Sequence, residues 1–182
     1  MRSLRFSKRV EGVSNRQKLV RLCVTRWVER HDSVIVFVEL LSVITSFLVD
    51  EAENASVQDS YKPEQLLAAI RAPAFLIGIL TAESVLAHTV GPSQSLQAAN
   101  CDLVSAFATI SRLQEFFEDV RLNAEANFNR LYKKAEQLLQ EIGGSEEGIK
   151  IPHVCNRQAH RSNIFAETAE VYYRSSVFIP FT

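Results

Sequence analysis

At 182 residues and 20.5 kDa, with 47% hydrophobic and 23% charged residues, the chain has the make-up of one globular domain, which excludes a disordered or collagen-like polymer. Its 11 Phe and many aliphatic residues can fill a core without metals or disulfides, and only 6 Gly and 5 Pro argue against a turn-rich sandwich or a phosphate-loop enzyme, leaving helices. The net charge of -1 hides an asymmetry: residues 1–30 hold nine Lys or Arg against two Glu, about +7, and residues 31–182 hold eleven against nineteen, about -8.

Residues 1–18 have neither helical nor strand periodicity and many cations, which reads as an irregular basic arm. Such a field suits contact with phosphates, and it equally suits a solvated, frayed segment. Residues 19–24 are short and rich in branched apolar side chains, a pattern that fits both a strand and the first turn of a helix. Over residues 28–51 the apolar positions Val34, Phe37, Val38, Leu41, Ile44 and Leu48 recur mostly at steps of three and four and predict one long helix. A polar, turn-like stretch at 54–62 leads to Pro63-Glu64, a suitable first helical turn because the missing N–H of proline has no partner there anyway.

Leu66, Leu67, Ile70, Phe75, Leu76, Ile79, Leu80, Leu86 and Val90 predict a nearly all-apolar, central helix, kinked or restarted at Pro73 and punctuated at Gly91-Pro92-Ser93. Leu103, Phe107, Ile110, Leu113, Phe117 and Val120 then follow at intervals of four, three, three, four and three, the cleanest amphipathic segment of the chain. A last stripe, Phe128, Leu131, Ala135, Leu138 and Ile142, ends at Gly143-Gly144, the residues a helix C-terminus favours. Beyond it come a polar connector, a short helix near 166–174 and an uncapped apolar 177–181, so the chain reads as truncated.

Cys23, Cys101 and Cys155 are widely spaced and odd in number, and no signal-peptide pattern opens the chain, which points to a reduced, intracellular setting. The most apolar windows, 34–38 and 75–80, are bounded by charge or Pro well short of the roughly 18 residues a membrane crossing needs, so no membrane partner is expected. Phosphate loops, the Gly-x-Ser-x-Gly elbow, His-Glu-x-x-His and Cys-x-x-Cys are all missing from the sequence. His153, Cys155 and His160 match no familiar zinc spacing, so neither a metal nor another cofactor is expected. His31 and Asp32 are neighbours about 100° apart on a helix and make a poor catalytic pair. Glu115, Glu118, Asp119 and Glu136 read as a solvated face, and the apolar stripes offer too few polar groups for a small-molecule substrate.

The informative cluster is Arg21, Arg26, Trp27 and Arg30, where the only Trp of the chain lies among three guanidinium groups. An aromatic plane so flanked can stack a base, at roughly 1–3 kcal/mol per base, while the cations neutralise phosphates. The same Trp27 can instead anchor the first helix to the core.

The block Cys23-Val24-Thr25-Arg26-Trp27-Val28-Glu29-Arg30-His31-Asp32 resembles the Thr-Arg-Trp segment of the hAT-superfamily transposases and their domesticated relatives. Downstream, Arg157-Gln158-Ala159-His160-Arg161-Ser162-Asn163, followed by Tyr172-Tyr173-Arg174 and Ile179-Pro180-Phe181, resembles the stretch those proteins carry after their helical insertion. The resemblance covers residues 19–182 and is to the group of THAP-domain repressors and zinc-finger MYM-type proteins. It implies an all-α helical bundle, the insertion domain of an interrupted ribonuclease-H-like fold. Residues 1–27 would then be the basic arm and the remnant of the first half, 28–144 the insertion domain, and 145–182 the connector onward.

In this family two catalytic carboxylates precede the Thr-Arg-Trp segment and one follows the Ile-Pro-Phe segment, so the resemblance implies a chain that does not cut DNA by itself. It also implies that Arg26 and Trp27, helped by Arg21 and Arg30, contact a DNA hairpin or transposon end, the Trp stacking on a flipped base. A nuclear, repressor-like protein with homo- or hetero-oligomeric partners is the corresponding expectation. The competing expectation is a helical protein-interaction module without nucleic-acid affinity, motivated by the stripes over 103–142.

Overall fold

The computed structural model describes residues 27–54, 61–98, 101–145, 147–152 and 166–182, and among these residues the chain is an all-α bundle without strands. The basic arm, residues 19–24, Arg21, Arg26, Cys23 and the 153–165 segment lie outside the described residues.

The predicted long helix is two: α1, Trp27–Glu39, and α2, Leu41–Asn54, with a bend of 62° between them at Leu40. The hydrogen bonds from Leu40 N to Val36 O (3.0 Å) and from Ile44 N to Leu40 O (2.8 Å) bracket the bend. The reason lies in the sequence around it. Val34, Ile35, Val36 and Val38 are β-branched, which weakens a helix, and apolar residues stand on both faces. A straight helix buries one face. The bend lets Val36 and Leu40 (both 0% exposed) and Leu41 all enter the core, with α1 against the long central helix and α2 against the next helix.

α3, Tyr61–Ile70, carries Pro63 in its first turn and buries Leu67 and Ile70. Ala72 is extended (φ -67°, ψ 126°), as a residue before proline prefers, and Pro73 restarts the chain as α4, Pro73–Leu96. Contrary to the punctuation expected at Gly91-Pro92-Ser93, α4 runs through Pro92. The ring removes one intrahelical bond close to the exposed helix end, where Gln97 N still reaches Ser93 O at 3.2 Å.

α4 is the central helix, packed on α1, α3 and the elements described next. Leu76, Ile77, Leu80, Thr81 and Leu86 are buried, and the Thr81 hydroxyl donates to Ile77 O at 2.7 Å, so no buried polar group is orphaned there. The length argument against a membrane segment needs correction. The helix continues past Leu80, and an 18-residue window within Pro73–Leu96 has a mean hydropathy of 1.5, enough to cross a bilayer by length and composition. In this fold the helix packs on α1 and α3, with 28% of that window buried.

α5, Leu103–Leu122, starts at the cap Asp102, whose carboxylate accepts from Val104 N (2.7 Å), Ser105 N (3.1 Å) and Ser105 Oγ (2.6 Å). The Ser105 hydrogen bonds, above all that of its hydroxyl, hold this carboxyl below its ordinary range. α6, Ala124–Glu141, buries Ala124, Phe128, Tyr132, Ala135 and Leu139. It ends as the Gly143-Gly144 pair predicts. Gly143 takes φ +66°, its N–H reaches Gln140 O (3.1 Å) and Gly144 N reaches Leu139 O (2.8 Å), the two bonds of a Schellman motif. Arg71 Nε donates to the free Ile142 carbonyl at 2.8 Å and ties the α3 end to this cap.

The tail forms α7, Ala169–Tyr173, a π-helical turn, Arg174–Phe178, and α8, Ile179–Phe181. Thr168 caps α7 by accepting from Val171 N at 3.2 Å. Tyr173 and Phe178 belong to the same core as α1, α2, α4 and α6, with the Phe178 ring 5.4 Å from that of Phe128. Burial pushes the Tyr173 hydroxyl up to about 12, while that hydroxyl donates to Lys150 O at 3.3 Å.

Candidate functional site

α5 is the element through which the surface departs from an ordinary solvated one. It is a 20-residue helix with no buried residue. Leu103 (78% exposed), Val104 (80%), Phe107 (69%) and Ile110 (41%) point away from the body, and Leu96 at the end of α4 adds to them (40%). The expected stripe is therefore divided: Leu103, Phe107 and Ile110 are exposed, whereas Leu113, Phe117 and Val120 are partly buried.

Beneath α5 lies a cleft of about 570 Å3 between α4, α5, α6 and the tail, lined by Leu80, Glu83, His88, Phe116, Asn127 and Lys134 among others. The His88 and Phe116 rings meet at 4.1 Å and 36°, and Phe117 stands at 71° to Phe116 with centroids 5.4 Å apart. A second cavity of about 380 Å3 shares this His88–Phe116 pair and extends towards Pro92, Thr109 and Arg112. The tilted His88–Phe116 pair is thus one contact of α5 with α4, with space on both sides of it, and Val120 packs against the core.

Several polar groups of the cleft pair with one another. Lys134 Nζ pairs with Glu83 Oε2 at 2.9 Å, Arg130 Nη2 donates to Asn127 Oδ1 at 2.6 Å, and Asn127 Nδ2 donates to Val120 O at 3.3 Å. Nothing here poises a nucleophile beside a base. Among the described residues no group of three His, Cys, Asp or Glu could hold a metal ion.

Of the residues singled out in the sequence, Trp27 opens α1 and Arg30 lies one turn further along it, while Arg21 and Arg26 lie outside the described residues. His153, Cys155 and His160 lie outside them too. His31 Nδ1 stands 3.7 Å from Asp32 Oδ1, too long for a hydrogen bond, so the neighbours do not form a dyad. Glu115, Glu118 and Asp119 are exposed as expected, Glu136 is partly buried, and Asp119 accepts from Asn123 Nδ2 at 2.9 Å. The sequence reading missed the Asp102 cap, whose signal was an Asp directly before an apolar run, and the His88–Phe116 pair, for which no local pattern exists.

Comparison with known proteins finds a distant similarity over most of this chain. It is 23% identical over 169 residues to the "52 kDa repressor of the inhibitor of the protein kinase" of Homo sapiens and 23% identical over 171 residues to its Mus musculus counterpart. Each alignment takes in 90% of this chain and 22% of the relative, so the chain spans about a fifth of the length of these proteins. No family model matches, and no solved structure matches. What the comparisons establish is that the chain is distantly similar to a repressor protein.

Proposed function

We propose that this chain is a helical assembly module of a nuclear, repressor-like protein of hAT-transposase descent, with no phosphoryl-transfer activity of its own. The observation that carries the reading is the outer half of α5, where Leu103, Val104 and Phe107 are each more than two-thirds exposed on a helix that buries nothing. Soluble proteins keep contiguous apolar patches small unless something docks on them. The similarity to a repressor protein supports the biological direction. A fusion of the whole chain to a heterologous DNA-binding domain should repress a reporter, and Phe107→Glu should relieve the repression; a fusion with no effect on transcription would sink the reading.

A second reading, DNA-end contact by Arg21, Arg26, Trp27 and Arg30, has its own support. Trp27 is the first residue of α1, and a helix N-terminus favours phosphate through its backbone N–H groups. Hairpin and duplex affinities measured against salt separate the cases. A hairpin preference lost in Trp27→Ala supports stacking, and equal weak binding by both chains rules it out.

A further inference from the structure

The second half of α4 and the whole of α5 are held differently from the rest of the bundle. Leu86 is the last buried residue of α4 and Ala124 is the first of α6. Between them, none of the described residues, 87–98 and 101–122, is buried. None belongs to the hydrophobic core, and of their partly buried apolar side chains only Val120 packs against it. The two helical parts lean on each other in antiparallel order: the His88 ring meets Phe116 at 4.1 Å, and Pro92 and Ser95 share a cavity with Thr109 and Arg112 further along.

Such packing holds little. A helix of about 20 residues is marginal in water without burial of its apolar face. Here cavities of about 570 and 380 Å3 lie on either side of the ring pair. Gly91 and Pro92 stand side by side within α4, the first adding backbone entropy to be lost and the second removing a hydrogen bond. At the other boundary Asn123 departs from helical geometry (φ -101°, ψ 27°), so the chain changes helix at the point where burial resumes. Loss of residues 87–98 and 101–122 from the fold removes no member of the core cluster.

Proteins open locally where buried apolar contacts are few, in contiguous cooperative units. We propose that residues 87–98 and 101–122 form a lid that opens as one such unit, the outer half of α4 and α5 losing helical order together while α1–α3, α6 and the tail stay folded. The larger cleft gives the opening a consequence, because its walls fall on the two sides of the boundary. His88, Phe116 and Phe117 come from the lid, whereas Leu80, Leu131 and Phe178 come from the core. Closed, the lid helps keep Leu80 at 2% exposure; open, it bares that side of the cleft.

The test is native-state hydrogen exchange of the full chain in low urea. The α5 amides should exchange about a hundredfold or more faster than those of α6, through one shared opening with a smaller urea slope, since a partial opening exposes less surface. Phe128→Ala should accelerate α6 exchange by about a hundredfold or more and leave α5 exchange unchanged, because Phe128 stays packed in both the closed and the lid-open states. If that chain does not fold, Ile142→Val makes the same distinction at roughly threefold. With Cys23, Cys101 and Cys155 made Ser, a Leu80→Cys thiol should react with a disulfide reagent at the opening frequency of the α5 amides. Equal acceleration of α5 and α6 by either core substitution, or one urea slope for both helices, overturns the proposal. Graded α5 rates without urea dependence overturn it in favour of independent fraying. A Leu80→Cys thiol that reacts only as fast as α6 amides exchange overturns it as well, since the opening then leaves the cleft covered.

Discussion

α5 and α6 are consecutive helices of similar length with comparable apolar stripes, and they have opposite fates. α6 buries five residues and closes the core through Phe128 at 0% exposure; α5 buries none. Spacing does not separate them: Leu103 to Phe117 and Phe128 to Ile142 each advance 14 residues in four steps of their stripes. What differs is the packing, since α6 lies against α4 and the tail, whereas α5 meets α4 and α6 mainly through its second half. A stripe at near-helical spacing predicts a helix; the neighbours it finds decide how much of it is covered.

The largest test of this contrast is a pair of truncations. Phe128→Ala in α6 should cost about 3–5 kcal/mol in urea unfolding, since it opens a cavity among Tyr132, Phe178 and Ala135. Phe107→Ala in α5 should stay within about 0.5 kcal/mol. Equal losses would mean that α5 is buried in solution in a way the fold does not show.

Next in size is the α6 terminus. Gly143→Ala places a Cβ at φ +66° and 3.2 Å from the Arg71 guanidinium, and should cost about 1–2 kcal/mol in thermal or urea unfolding. Gly91→Ala in α4, with open space around the new Cβ and an ordinary helical φ, should be neutral or slightly stabilising.

Tyr173 sharpens the comparison through pH. Its hydroxyl is held protonated up to about 12 chiefly by burial, so the folded state binds a proton that the unfolded state has already released. The sign follows: this contribution is complete below the ordinary tyrosine value of 10.0 and is lost as pH rises from there through about 12. Tyr173→Phe should remove that part of the alkaline loss, cost about 1 kcal/mol at neutral pH through the hydrogen bond to Lys150 O, and delete the last-ionising component of the 295 nm titration.

The smallest expected effect is at the start of α5. Because the Asp102 carboxyl sits below its ordinary value of 3.8, its support for the helix is present above that value and is lost as pH falls through the lowered one. Hydrogen exchange at the Val104 and Ser105 amides should accelerate on that acidification and in Asp102→Ala at any pH, with α6 amides unaffected. Uniform acceleration through both helices would mean that α5 and α6 open as one unit.

Much of the helical order was legible in the residues. Pro73 marked the restart of α4, Gly143 marked the end of α6, and of the 128–142 stripe Phe128, Ala135 and Ile142 are buried and Leu131 and Leu138 partly so, while buried Tyr132 and Leu139 went unnamed. Two readings failed for a common reason. The 28–51 helix bends at Leu40, and α4 passes through Pro92, because local patterns weigh one turn at a time while a fold weighs where both faces of a segment can be buried. The candidate site was half legible: Leu103, Phe107 and Ile110 were named in the sequence and Val104 was not, nor that this outer half is exposed among the described residues.

The sequence by itself determined that this protein is helical and where most of its helices begin and end, since propensity, capping and composition act within a few residues. Only the tertiary structure decided which of two similar stripes became core. That choice depends on how many neighbours can reach a given side of a helix, a quantity no single segment carries; α6 met α4, the tail and their rings, and α5 met α4 and α6 with its residues only partly buried.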